Sequence, residues 1–177
     1  MAEEKVPDLM DSTSKVGFHS VLQGSLSPSS PTYNRAFGNE VSNECNAPLI
    51  DSANDGTYLE FFCVKSTDSN PIEMVVEAAG TNIIDTVLTL YCVNFDPSNP
   101  LGNAIAFDDD GGEGTLSAIT RSDEVVLTPE HVYWAVLSTY GANMTGNFLI
   151  QASPNLVTCD AVPTAGTSWG ALKATYR

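Results

Sequence analysis

Three consecutive aspartates, Asp108-Asp109-Asp110, run directly into Gly111-Gly112. Carboxylates crowded onto one tight turn repel each other, and that repulsion is costly unless a cation neutralises it. Calcium suits such a turn because it accepts about six to eight oxygen ligands, backbone carbonyls included, in flexible geometry. The EF-hand template does not fit, since its closing glutamate would fall on Ile119. A second acidic stretch, Asp51-Ser52-Ala53-Asn54-Asp55-Gly56, reads as an Asx turn leading into a strand and is left out of the metal site.

Groups for catalysis are sparse. The two histidines, His19 and His131, sit in no recognisable triad setting, and the chain has no GxSxG, HExxH or Walker sequence. A glycosidase needs only two carboxylates, but the evident acid cluster is better explained by a metal. No enzyme is expected. Trp134, Tyr140 and Trp169 are the aromatic candidates for a sugar-binding platform. At strand spacing Trp134 reads as core, and Trp169 as a docking contact for the tail.

The whole chain carries 22 acids against 7 bases, a formal net charge of −15 over 177 residues. Such a surface repels phosphate backbones and anionic lipid, which argues against nucleic-acid and membrane-surface partners. No apolar run is long enough to span a membrane. The opening, Met1 to Met10, is acidic and shows no hydrophobic signal-peptide core. Cys45, Cys63, Cys92 and Cys159 form an even set without a CxxC pair, so two disulfides are expected rather than zinc. Three pairings are open. Disulfides imply an oxidising compartment, hence an extracellular or cell-surface location.

The elements that must position these residues are strands. Residues 1–42 read as a polar N-terminal arm, with an extended Ser/Pro-rich linker at 25–32; residues 43–153 read as the folded body and 154–177 as a C-terminal tail. Short runs rich in Val, Ile, Leu, Phe and Tyr occur at Tyr58–Val64, Ile72–Ala78, Thr86–Val93 and Ala104–Phe107. Three more follow at Glu124–Leu127, Val132–Ser138 and Asn147–Ala152. Ile72, Met74 and Val76 alternate with Glu73, Val75 and Glu77, and Phe148, Ile150 and Ala152 alternate with Leu149 and Gln151. With polar turns between them and no long helix, they predict an all-β antiparallel β-sandwich or jelly roll.

Five segments, in order, resemble the pre-peptidase C-terminal-like domains of bacteria. They are Asn43-Glu44-Cys45-Asn46-Ala47-Pro48-Leu49-Ile50, Asp85-Thr86-Val87-Leu88-Thr89-Leu90-Tyr91, Phe107-Asp108-Asp109-Asp110-Gly111-Gly112, Val132-Tyr133-Trp134-Ala135-Val136 and Thr145-Gly146-Asn147-Phe148-Leu149-Ile150. The match covers about residues 43–152, with Phe107 where that family's loop carries Asn and a longer turn at 94–103. The resemblance implies a jelly-roll-like sandwich borne on secreted proteins, often beside proteases, with no catalytic centre among its motifs. Some members bind calcium, and some bind collagen or other insoluble polymers. It also implies that Asp85 faces the acidic loop, making Asp85, Asp108, Asp109 and Asp110 the expected calcium ligands.

Two functions follow as expectations. In the first, the protein is a structural subunit that joins copies of itself into a fibre or surface layer by strand exchange. Residues 15–26 would supply the strand, with Val16, Phe18 and Leu22 on one period-2 face; the alternative is that the same segment folds back as an edge strand of its own sandwich. In the second, it is an accessory domain that holds a secreted hydrolase on collagen or polysaccharide. Near the end, Ser168 can cap a short helix with Trp169, Leu172 and Tyr176 on one face, a further candidate for partner contact. That ending resembles an SWGxxKxxYR terminus found on exported bacterial proteins.

Overall fold

A computed structural model describes residues 20–38, 41–51 and 55–159. The N-terminal third contributes strands β1 (Ser20–Leu26), β2 (Thr32–Tyr33), β3 (Ala36–Phe37), β4 (Ile50–Asp51) and β5 (Thr57–Tyr58). Then come β6 (Glu60–Ser66), β7 (Met74–Val76), β8 (Thr86–Cys92), β9 (Ala104–Asp108) and β10 (Ala118–Ile119). The last are β11 (Tyr133–Thr139), β12 (Gly146–Ala152) and β13 (Leu156–Thr158). Two main antiparallel sheets result, a four-stranded one in the order β1-β12-β7-β10 and a five-stranded one in the order β13-β6-β11-β8-β9, beside two short pairs, β2-β5 and β3-β4. The protein is an all-β sandwich.

The alternation read from the sequence explains the packing. Met74 and Val76 of β7 and Phe148, Ile150 and Ala152 of β12 are buried, and they meet Leu88 and Leu90 of β8 and Ala135 and Leu137 of β11 between the sheets. β8 is buried at every residue because its other face is covered too. There Val87 and Tyr91 pack with Val136 and Phe107 beneath Tyr33, Ala36 and Leu49. Residues 31–38 and 41–50 thus form a strap, a third layer over part of the five-stranded sheet. Tyr33 Oη donates to Ser138 Oγ at 3.1 Å. Burial pushes its phenol up to about 12. The strap also lines the free edge of β9, where the Ser42 and Ala47 amides donate to the carbonyls of Ile105 and Ala104.

Both disulfides expected by count are present. Cys45 pairs with Cys92, tying the strap to β8, and Cys63 pairs with Cys159, tying β6 to the end of β13. Each contributes about 2–4 kcal/mol by restricting the unfolded chain.

Three segments stand apart from the sequence reading, one of them β13 (Leu156–Thr158), which pairs with β6 inside the expected tail. The described part of the expected arm packs on its own domain, the fold-back alternative: Ser20–Leu26 is the edge strand of the four-stranded sheet, paired with β12 from Ser20↔Ala152 to Leu26↔Gly146. Ser27–Ser30 is a compact turn closed by its own hydroxyls, with the Ser27 amide donating to Ser30 Oγ at 3.0 Å. Glu124–Leu127 buries Val125 and Leu127 as its alternation demands. It is nevertheless no strand: a 3-10 turn at Arg121–Asp123 ends with Glu124 in the left-handed region at φ 54°, and only Val126 bridges to Pro71.

Candidate metal-binding loop

β9 delivers Asp108 to the end of the five-stranded sheet, where the chain turns toward β10. Asp108 Oδ1 accepts hydrogen bonds from the backbone amides of Gly111 at 2.8 Å and Ala118 at 2.7 Å. Asp108 therefore latches both arms of the loop together. The two glycines are required by close packing: a Cβ on Gly111 would lie 2.7 Å from the Ala118 carbonyl oxygen, and one on Gly112 would lie 2.6 Å from that of Leu116. Burial holds the Asp108 carboxyl above its ordinary range despite the two amides, with the charges of Asp109 and Asp123 adding to the effect.

Asp85 stands just before β8, and its carbonyl accepts from the Tyr140 amide at 3.3 Å. Its carboxylate is raised by burial first, and then by the negative charges of Asp110 and Asp109. Asp109 is raised by burial and by Asp110. The structure thus brings Asp85, Asp109 and Asp110 into one electrostatic neighbourhood, although Asp85 comes from a different strand. Asp85 Oδ1 is buried and has no hydrogen-bond partner. A buried carboxylate oxygen with no donor is destabilising by itself, so the position calls for a cation or proton.

One internal cation lies close by. Arg35, on the strap, is buried, and its Nε is 3.1 Å from Asp55 Oδ2. Its guanidinium stacks over the rings of Tyr140 at 4.6 Å and Phe37 at 5.3 Å. Arg35 lowers Asp85 and Asp109, but in both it ranks behind the influences that raise them. Among the described residues, the acids Asp55, Asp85, Asp109 and Asp110 therefore share the neighbourhood of Arg35. Sequence reasoning missed Arg35 and set Asp55 aside as a turn residue. The available signal was rarity, since Arg35 is the only base between Lys15 and Lys65.

Among the described residues, no three His, Cys, Asp or Glu side chains converge closely enough to hold an ion as they stand. The donor chemistry still suits calcium, being oxygen only, with the orphaned Asp85 oxygen as its strongest feature. Elsewhere, Leu22 is buried at 3% exposure within β1. Val16, Phe18, Trp169, Leu172, Tyr176 and His19 lie outside the described residues. His131 is exposed, Trp134 half-buried and Tyr140 exposed. No described helix is long and apolar enough to cross a membrane. Comparison with protein-family models, with curated proteins and with solved structures finds no match to this chain.

Proposed function

We propose that the protein is an extracellular, non-catalytic, calcium-stabilised structural module that joins copies of itself by exchanging β1. The observation that carries this reading is the form of β1. It is an edge strand with a seven-residue antiparallel register to β12, attached to the rest of the domain through the Ser27–Ser30 turn. Leu22 and Leu26 point from it into the core, each contributing about 1.5–3 kcal/mol by transfer from water. Gly24 lets it pass close over the core: a Cβ there would clash with Glu60 and the Phe148 ring. The same strand from a second copy would make the same contacts, so exchange costs no contact energy and an opened turn provides the link.

Calcium would be held by Asp85, Asp109 and Asp110, with Asp108 shaping the loop, and would supply the positive charge that Arg35 alone does not. Asp110 is exposed, so its side chain can turn inward toward the ion. Two disulfides fit folding in an oxidising compartment, and the resemblance to pre-peptidase C-terminal-like domains supports an extracellular role.

A paired substitution, Gln23→Cys with Leu149→Cys, tests the exchange in the full chain, because these residues face each other across β1 and β12. With exchange, oxidation produces a ladder of covalently joined copies on a non-reducing gel. Crosslinked monomers alone, at concentrations where the wild type assembles, would overturn it.

A further inference from the structure

The outer face of the five-stranded sheet has a covered half and an open half. Over β8 and β9 the strap buries Val87, Tyr91 and Phe107. Toward β6 and β13 it stops, leaving Phe61 at 46% exposure and Trp134 and Phe95 half-buried. These three form an aromatic patch, with ring centroids 5.6 Å apart for Phe61–Trp134 and 5.8 Å for Phe61–Phe95. Monomers rarely leave clustered rings open unless something covers them.

The chain itself leads to this patch. Cys159 is bonded to Cys63, which lies directly across from Trp134 in the register of β6 and β11. β13 covers only Val64–Ser66 of β6, and the Cys159 amide then reaches the Cys63 carbonyl. Among the described residues no strand pairs with Glu60–Phe62 along that edge. β13 runs antiparallel to β6, so its register, extended past Cys159, would run toward Phe61. A groove lined by Ser27, Pro31, Leu59 and Phe61 continues the same line. The segment beyond Cys159 contains Trp169, Leu172 and Tyr176. It also holds Lys173 and Arg177 against one acid, Asp160, in a chain whose net charge is −15.

We propose that residues 160–177 fold back in the same chain over this open half, seating Trp169, Leu172 and Tyr176 against Phe61, Phe95 and Trp134. Ten residue steps lead from Cys159 to Trp169 and reach up to about 33 Å when extended, far beyond the roughly 7 Å that two strand residues cover between Cys63 and Phe61. The basic end then lies on an acidic body, which favours docking over release.

The protein has two tryptophans, so each can be isolated as a reporter. In full-length Trp134→Phe, Trp169 should emit at shorter wavelength and be quenched by acrylamide several-fold less than in a synthetic peptide of residues 160–177. Adding Phe61→Asp at the exposed ring should return it to peptide-like emission. Conversely, in full-length Trp169→Ala, the emission of Trp134 should shift to longer wavelength, a readout that does not depend on Phe61→Asp folding. Peptide-like quenching of Trp169 in the Trp134→Phe protein would overturn the proposal. So would protection that vanishes on dilution to monomer, which would assign the patch to the tail of a second copy. Protection that appears only after collagen or cellulose is added would assign it to a polymer.

Discussion

Asp68 and Asp108 each head a polar turn, and each accepts two N–H bonds at Oδ1, yet their charges respond in opposite ways. Asp68 accepts from the Asn70 amide at 2.9 Å and from Asn155 Nδ2 at 2.9 Å, and these bonds hold its carboxyl below the ordinary range. Asp108 accepts from the amides of Gly111 and Ala118 and sits above that range. The difference is location. Asp68 is open to water and lies near Arg121, whereas Asp108 is partly desolvated beside Asp109 and Asp123. Donors fix the position of a carboxylate, but burial and neighbouring charges decide how readily it stays ionised. One turn is complete within the protein; the other holds negative charge that an added cation would relieve.

The comparison breaks most visibly with calcium. At a hundredfold excess over Kd, calcium should add about 2.7 kcal/mol to the stability of the acid-loop end, read as a rise in Tm that a chelator reverses. Asp85→Asn, Asp109→Asn and Asp110→Asn should each shrink that rise while leaving the chelated protein equally or more stable. Asp68→Asn should leave the rise intact. A rise of equal size in all four variants would dismiss the proposed ligands.

Removing the latch is the next largest change. Asp108→Ala strands the amide of buried Ala118 and releases that of exposed Gly111, and should cost about 1–3 kcal/mol in chemical denaturation, with or without calcium. Asp68→Ala frees the exposed Asn70 amide while Asn155 Nδ2 keeps its bond to the Asn70 carbonyl, so it should cost less than the change at Asp108. Equal losses at the two positions would mean that the loop is already open to solvent.

The pH response sharpens the contrast at the smallest scale. In chelator, Asp85, Asp108 and Asp109 have raised folded-state pKa values, so the folded protein binds protons more readily than the unfolded chain. Stability should therefore rise as pH falls from neutral toward the usual carboxylate value of about 3.9. Asp68 and Asp96 have lowered values, so their contribution is present above that point and is lost as pH falls below it. Melting temperature against pH in chelator should pass through a maximum near the ordinary carboxylate range. Calcium should flatten the upper limb, because protons then compete with the ion. A steady decline from neutral pH in chelator would contradict the raised values.

The strands of the central body were legible because their alternation is local: β7, β8, β11 and β12 stand within a residue or two of their expected bounds at one end or both. The strap was not. Tyr33, Ala36 and Leu49 are single apolar residues in a polar stretch, and their burial depends on a sheet face built from β8, β9 and β11. β1 carried a visible apolar pattern, but its partner β12 lies far along the chain and no local feature points to it. At the acid loop, residue type alone announced Asp108–Asp110, whereas Asp85 entered only through resemblance. Arg35 and Asp55 meet there by tertiary packing that leaves no mark on their own sequence neighbours.

Pairing the first described strand with one of the last has a consequence for assembly kinetics. β12 gains its second partner, beside β7, only when β1 returns to it, so closure waits on a contact of high sequence separation while hairpins such as β8–β9 form locally. Loop closure over that span carries an entropic penalty that a strand arriving from another molecule does not share, because it pays a concentration-dependent cost instead. Until β1 docks, the edge of β12 is a vacant template. Under the proposed exchange, which strand fills it would be a race between chain return and encounter, set by how crowded the nascent molecules are.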